Sequence, residues 1–249
     1  MDEPRVYLIT GNEEIRNRNF IMENLLYHQK LKGANPLLVN FIRGNHFFSE
    51  EAVKPDKKEK TIPAFNYYTD MNIAAVEYEH ILSGLTHKNP DTWFQAESDF
   101  SSIYLFGELG KECMYLYKAI DHIVLLIKNE YETSSYLFNF INKLYDKMID
   151  KNINIIISDI KNIEDAAMFY VKRRDEMKEM IDESLVFDFL GFVELDVKKI
   201  AFTRRKQKLY IRIFFEDAFH GNLKYINEKM KGLEYFKADT LFKTIADGA

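Results

Sequence analysis

Short apolar runs alternate along this chain with longer stretches of helical period. The runs are residues 6–10, 37–42, 103–106, 122–127 and 153–158. Each is rich in Ile, Val, Leu or aromatic residues, and none alternates with period two. Strands buried on both faces of a parallel sheet read this way. Residues 133–149 place Leu137, Phe140, Ile141, Leu144, Tyr145 and Met148 on one helical stripe, with Thr133 or Ser134 as its cap. Residues 163–181 repeat the pattern with Ile163, Ala166, Ala167, Tyr170, Val171, Met177 and Ile181. Strand–helix–strand alternation predicts βαβ units with right-handed crossovers. The expected fold is therefore three-layer α/β: a mostly parallel sheet with helices on both faces.

Residues 49–70 are the least regular part, and the charged run Lys54-Pro55-Asp56-Lys57-Lys58-Glu59-Lys60 reads as a solvated loop. With no internal repeat and no low-complexity tract, residues 1–249 are read as one domain closed by a C-terminal helix or tail at 232–249. The length of 249 residues is ample for a buried core.

Composition narrows the classes. Hydrophobic residues at 47% and charged residues at 29% mark an ordinary globular chain, and a net charge of −5 gives no overall pull toward nucleic acid or anionic lipid. A single cysteine, Cys113, excludes an internal disulfide and fits a reducing compartment. No signal-peptide pattern opens the chain, and no apolar run reaches the ~20 residues of a membrane span. A cytoplasmic protein is expected. The six histidines show no metal-ligand spacing, so no metal site is expected.

The chemistry worth weighing lies after the first run. Val6-Tyr7-Leu8-Ile9-Thr10-Gly11 reads as a strand ending in a turn, and Asn12-Glu13-Glu14-Ile15-Arg16-Asn17-Arg18-Asn19-Phe20 leads into a helix. A strand, a Gly turn and a helix start are where a nucleotide-binding α/β fold places phosphates. A working loop needs further glycines, a Lys on the phosphate oxygens and a Ser or Thr on Mg²⁺. This one has carboxylates where glycines are needed.

Four landmarks in order resemble the MinD/ParA-like ATPases with a deviant Walker A loop, and most closely the flagellar-placement branch represented by FlhG. The family's first strand ends in Ser-Gly-Lys-Gly-Gly-x-Gly-Lys-Thr-Asn. Thr10 and Gly11 match its opening and Asn19 its close. Asn12 stands for the signature lysine; Glu13, Glu14 and Arg16 for the three glycines; Asn17 for the phosphate lysine; Arg18 for the Mg²⁺ hydroxyl. The Asp-x-Asp-x-Gly after the second strand is here Asn40-Phe41-Ile42-Arg43-Gly44, without either acid. The Walker B strand, Ile103-Tyr104-Leu105-Phe106-Gly107-Glu108-Leu109-Gly110, keeps Gly110 and puts Phe106 in place of the Asp. The late Gly-x-Val-Pro-x-Asp turn survives as Gly191-Phe192-Val193-Glu194-Leu195-Asp196, with a helix expected near Val197. Ser158-Asp159 stands where the family holds a base-reading Asn.

The resemblance implies a degenerate member. Positive φ is costly for Glu and Arg, so the amide nest is lost. Mg²⁺ has no anchor and nothing neutralises transition-state charge. The expectation is a non-catalytic pseudo-ATPase with no cofactor, acting as a bacterial regulatory or scaffolding module for protein partners in flagellar placement, division-site selection or partitioning. Asn12 removes the lysine that bridges two ATP molecules in family dimers, so a monomer or a nucleotide-independent homodimer is expected. Arg16 and Arg18, at a helix start, keep weak anion or nucleotide contact open. Two alternatives stand beside this reading. One is a divergent ATPase using Arg16, Arg18 and Glu108. The other is a nucleic-acid-binding partition module using the basic cluster Lys198, Lys199, Arg204, Arg205, Lys206, Lys208 and Arg212, which the net negative charge disfavours. The same cluster, chiefly Lys198 to Lys206, is the candidate patch for an acidic partner. The C-terminal stretch puts Leu233, Phe236, Leu241, Phe242 and Ile245 on one face. Its acidic polar side favours packing on protein over lipid.

Overall fold

A computed structural model describes residues 4–42, 52–53, 66–68, 73–87, 90–145, 152–180, 187–205, 217–233 and 240–248. The five apolar runs are five strands: β1 (Arg5–Thr10), β2 (Pro36–Asn40), β6 (Ser102–Phe106), β7 (His122–Lys128) and β8 (Ile153–Ser158). Every residue of β2, β6 and β8 is buried, as expected for strands covered on both faces. Two parallel strands go beyond that expectation, β5 (Ile73–Glu77) and β9 (Phe187–Val193). Residues 49–70 are not wholly irregular either. Ala52–Val53 (β3) and Asn66–Tyr68 (β4) pair antiparallel and extend β5. The charged run at 54–60 lies outside the described residues. The sheet order is β3-β4-β5-β2-β6-β1-β7-β8-β9, with seven parallel strands and helices on both faces.

The helices are α1 (Ile15–Leu31), α2 (Tyr78–His87), α3 (Pro90–Glu97), α4 (Thr133–Tyr145), α5 (Ile163–Met180), α6 (Val197–Arg205), α7 (Ala218–Lys231) and α8 (Leu241–Gly248). A 3₁₀ stretch, Lys111–Ala119, joins them. From Phe20 to Gln29 every α1 side chain but Glu23 is buried, so this helix is a core element without a polar stripe. On α4, Leu137, Ile141 and Leu144 of the expected face are buried and Phe140 is half-buried, while the Tyr145 side chain and Met148 lie outside the described residues. Its expected caps serve elsewhere: the Thr133 hydroxyl donates to Lys128 O at 2.6 Å and the Ser134 hydroxyl to Glu176 at 2.7 Å. On α5, Ala166 and Met177 are buried, whereas Ile163 and Val171 are exposed. The buried face continues instead through Arg173, whose guanidinium binds Ser134 and Glu176 and lies over the Phe169 ring.

The chain groups into two compact units. The first comprises Met1–Ile9, Leu25–Asp121 and Glu234–Ala249. Within it Tyr7 stacks on Tyr104 at 5.1 Å, and Asp121 clamps β1 by accepting the Val6 N–H at 2.8 Å and returning its own N–H to Val6 O at 2.9 Å. The C-terminal helix packs inside this unit. Leu241, Phe242 and Ile245 of α8 are buried, and Phe242 meets Trp93 edge-on. The Glu97 carboxylate accepts the Leu241 and Phe242 N–H groups at 2.6 and 2.9 Å, capping the helix from 144 residues away in sequence. Among the described residues no helix is long and apolar enough to cross a membrane.

The second unit is Thr10–Asn24 and His122–Leu233. Here β7, β8 and β9 run parallel. The β8–β9 ladder slips after Ile155↔Phe189 to Ile156↔Gly191, a bulge at Leu190. Gly191 (φ +155°) lies there because a Cβ would stand 2.8 Å from the Ile226 side chain.

Candidate functional site

The loop after β1 is tied shut by its own side chains. At Gly11 φ is +149°, and a Cβ would fall 1.9 Å from Leu126 O, so β7 backbone fills the space a side chain would need. Asn12 spans the gap between β7 and α4. Its Oδ1 accepts the Lys128 N–H at 3.0 Å and its Nδ2 donates to the Thr133 hydroxyl at 3.0 Å. The Glu13 N–H donates to Leu126 O at 3.3 Å. At Glu14 the backbone carbonyl receives the Asn17 and Arg18 N–H groups at 2.9 Å and so starts α1.

Glu13 and Glu14 look alike in sequence and part company here. Glu14 is exposed, while Glu13 is 2% exposed. The Glu13 Oε1 accepts the Glu14 N–H at 3.0 Å and the Asn17 side-chain amide at 2.9 Å, and its Oε2 accepts the Ser158 hydroxyl. Ser158 is itself fully buried at the end of β8 and lies 3.2 Å from Ile127 O. Burial pushes the Glu13 carboxyl above its ordinary range, and the bonds from Asn17 and Glu14 and the charge of Lys128 oppose that rise. Arg16 is exposed and Arg18 half-buried at the start of α1. Thr10, one residue before the loop, is buried with no hydrogen-bond partner for its hydroxyl among the described residues.

In the first unit, the ends of β2 and β6 are closed differently. Phe106 is fully buried. Gly107 (φ +126°) follows, and a Cβ there would stand 2.9 Å from Ile42 and 3.2 Å from Phe41. Phe41 stacks on Tyr78 at 4.4 Å. Asn40 turns across the sheet to its register partner on β5: its Nδ2 donates to the Glu77 carboxylate at 2.9 and 3.1 Å, and its Oδ1 takes the Ile42 N–H at 3.1 Å. The Tyr78 hydroxyl meets that of Tyr115 at 2.8 Å, and burial together with this bond holds its pKa well above the tyrosine range. Glu108 is exposed, and Gly110 precedes the 3₁₀ stretch in extended conformation. Arg43 and Gly44 lie outside the described residues.

The late landmark does cap a helix. Asp196 Oδ1 accepts the Lys198 and Lys199 N–H groups at 2.9 and 3.1 Å, and α6 starts at Val197 as expected. Asp159, after Ser158, takes a left-handed φ of +61°. Of the basic cluster, Lys198 is exposed, and Lys199 is paired with Asp217, which raises its pKa. Arg204 and Arg205 close α6, their side chains outside the description, as are Lys206, Lys208 and Arg212. Cys113 is buried. Among the described residues no cluster of three or more His, Cys, Asp or Glu stands ready to hold a metal.

No protein-family model matches the sequence, and no curated protein is similar to it. Solved structures are. The chain is 13% identical to the MinD cell division protein of Aquifex aeolicus, with a TM-score of 0.61 over 94% of this chain and 99% of that one. The MinC:MinD complex of the same organism gives 11% identity and a TM-score of 0.62 over 95% and 99%. A ParA family ATPase from Chlorobium tepidum gives 10% and 0.60 over 92% and 99%. The fold is the MinD/ParA fold.

That fold implies Mg²⁺ and a nucleoside triphosphate, and the residues present do not fit them. The loop after β1 holds the buried Glu13 carboxylate in hydrogen-bond contact with the Glu14 N–H and with Asn17, the residue that the resemblance aligns with the phosphate lysine. The β6 end offers a buried phenyl ring where Mg²⁺ chemistry uses a carboxylate. Sequence reasoning expected a degenerate loop. It missed that Glu13 turns inward, because its partner Ser158 is 145 residues away.

Proposed function

We propose that this chain is a regulatory or scaffolding module that works through protein contacts without nucleotide turnover. The single observation that carries the reading is the Glu13 carboxylate, buried and held by the Glu14 N–H, Asn17 and Ser158 in the loop where MinD/ParA ATPases bind phosphate. A loop whose donors already hold an anion has little left to offer a triphosphate, and the two negative charges would repel. Phe106 at the Walker B position supports the same reading from the other unit. On this reading the chain is a pseudo-ATPase that resembles the FlhG-like branch.

The process is read from the fold's company. Its neighbours include cell division and partition proteins, and one was solved in complex with MinC. Bacterial spatial organisation, whether flagellar placement, division-site selection or partitioning, is the setting that fits, in the cytoplasm and with a protein partner. Lys198 and the basic residues after it form the candidate contact patch for an acidic partner surface. The chain is a monomer or a dimer indifferent to ATP. Sedimentation with and without Mg²⁺ and ATP tests this: identical profiles are expected, and an ATP-dependent shift overturns it.

A further inference from the structure

The C-terminal helix is held as a ligand is held. α8 is eight residues long, and an isolated helix of that length is marginal in water. Its first turn carries no acidic residue of its own. The cap comes instead from α3, where the buried Glu97 carboxylate takes the Leu241 and Phe242 N–H groups. α8 therefore depends on its dock to be a helix. The receiving groove lies between α2, α3 and the 3₁₀ stretch, and it is shaped for this occupant. Phe242 meets Trp93 edge-on at 5.7 Å. Gly84 lets the Trp93 indole lie against α2, since a Cβ there would collide with the ring. Gly248 lets the last turn of α8 lie on the Tyr115 ring in the same way. The groove thus reads a helix start, an aromatic residue just inside it and an aliphatic one a turn later, Ile245.

α7 and α8 are consecutive helices, yet they belong to different units. α7 packs in the second, with Phe219 at 5.1 Å from Phe20 and Ile226 against Gly191. Glu97, Trp93 and Tyr115, which hold α8, all belong to the first. The chain passes from one unit to the other at Leu233–Glu234. Receptor and ligand are thus complete on either side of a short connection. We propose that this groove is an exchangeable helix receptor, and that its partner in trans is α8 of a second copy of the chain. Reciprocal exchange reproduces each of these contacts, requires no new surface and closes at two subunits. The tether favours the copy in cis at low concentration, and exchange gains as concentration rises or the tether shortens. The resulting dimer makes no use of nucleotide. The inference goes beyond the proposed function and does not rest on the loop after β1.

Trp93 is the only tryptophan of the chain, so its fluorescence reports whether a helix fills the groove. Two full-length variants test the exchange. Phe242→Asp spoils the helix and leaves the groove, and Glu97→Arg spoils the groove and leaves the helix. Each alone is expected to sediment as a monomer with red-shifted Trp93 emission. An equimolar mixture should give a 1:1 species of twice the monomer mass, with part of the emission shift reversed. A synthetic peptide of residues 238–249 should reverse the shift in Phe242→Asp saturably, with half-effect at roughly 1 mM or below. A mixture that stays monomeric, or a peptide without effect, overturns the exchange and leaves the proposed function standing. An ATP-dependent dimer of the wild type overturns the proposed function and leaves the exchange standing. If the variants do not fold, the wild-type chain with Tyr235, Phe236 and Lys237 deleted decides. A dimer with unshifted Trp93 emission supports the exchange, and a monomer overturns it.

Discussion

Two regions of this molecule, the loop after β1 and the ends of β2 and β6, are each closed by a different kind of matter. The loop is closed by polar groups: a buried carboxylate, two amides and two hydroxyls, each with a named partner. The ends of β2 and β6 are closed by Phe106, Phe41, Ile42 and Tyr78, with Asn40 turned to Glu77 at the margin. Apolar closure gains from burial and does not depend on pH. Polar closure gains little net energy, depends on every partner being present and responds to protonation. One closure is therefore built into the core, and the other rests on a side-chain arrangement.

Substitutions can break or sharpen this contrast. The largest effect is expected at Phe106. Restoring the acid with Phe106→Asp removes a fully buried ring and buries a charge among apolar neighbours, at a cost of about 4 kcal/mol or more. Urea denaturation measures it, and a cost below about 1 kcal/mol would mean that the site still accepts an acid. Gly11→Ala comes next. With φ at +149° and Leu126 O in the way, about 3 kcal/mol should be lost. A neutral result would show that the loop does not rest on β7.

Ser158→Ala removes one donor from the Glu13 carboxylate and should cost about 2 kcal/mol at neutral pH, less at acid pH. Equal loss at both pH values would assign Ser158 to packing alone. The smallest effect is the pH slope. The folded pKa of Glu13 is raised above its ordinary 4.5 by burial, so between the two values the folded chain holds a proton the unfolded chain has lost. The stability this group contributes is fully present below the unfolded value and is lost as pH rises through the folded one. Glu13→Gln should flatten that decline in a series of urea midpoints from about pH 4 to 8. An unchanged slope would place the titration on another group.

The sheet was largely legible in sequence because five of its parallel strands are short, mostly apolar runs without period-two alternation, separated by stretches of helical period. The sixth and seventh were not. Ile73–Glu77 is short, rich in Ala and runs into α2 without a turn, so it carries no boundary signal. Phe187–Val193 contains Asp188 and Gly191, and its glycine reads as a turn until Ile226 is seen packed against it. Arg173 was hidden for a related reason: a charged residue on a buried helix face is invisible without Ser134 and Glu176. At the loop, the resemblance reads the glycines and lysines of the family motif as missing. That one glutamate turns inward while its neighbour faces solvent depends on Ser158, a contact no local pattern encodes.

Calorimetry of the wild-type chain with ATP, ADP and GTP, with and without Mg²⁺ at low salt, tests the central claim most directly. No heat and no thermal shift at millimolar nucleotide is the predicted result. Micromolar, Mg²⁺-dependent binding would contradict it and make the chain a divergent ATPase.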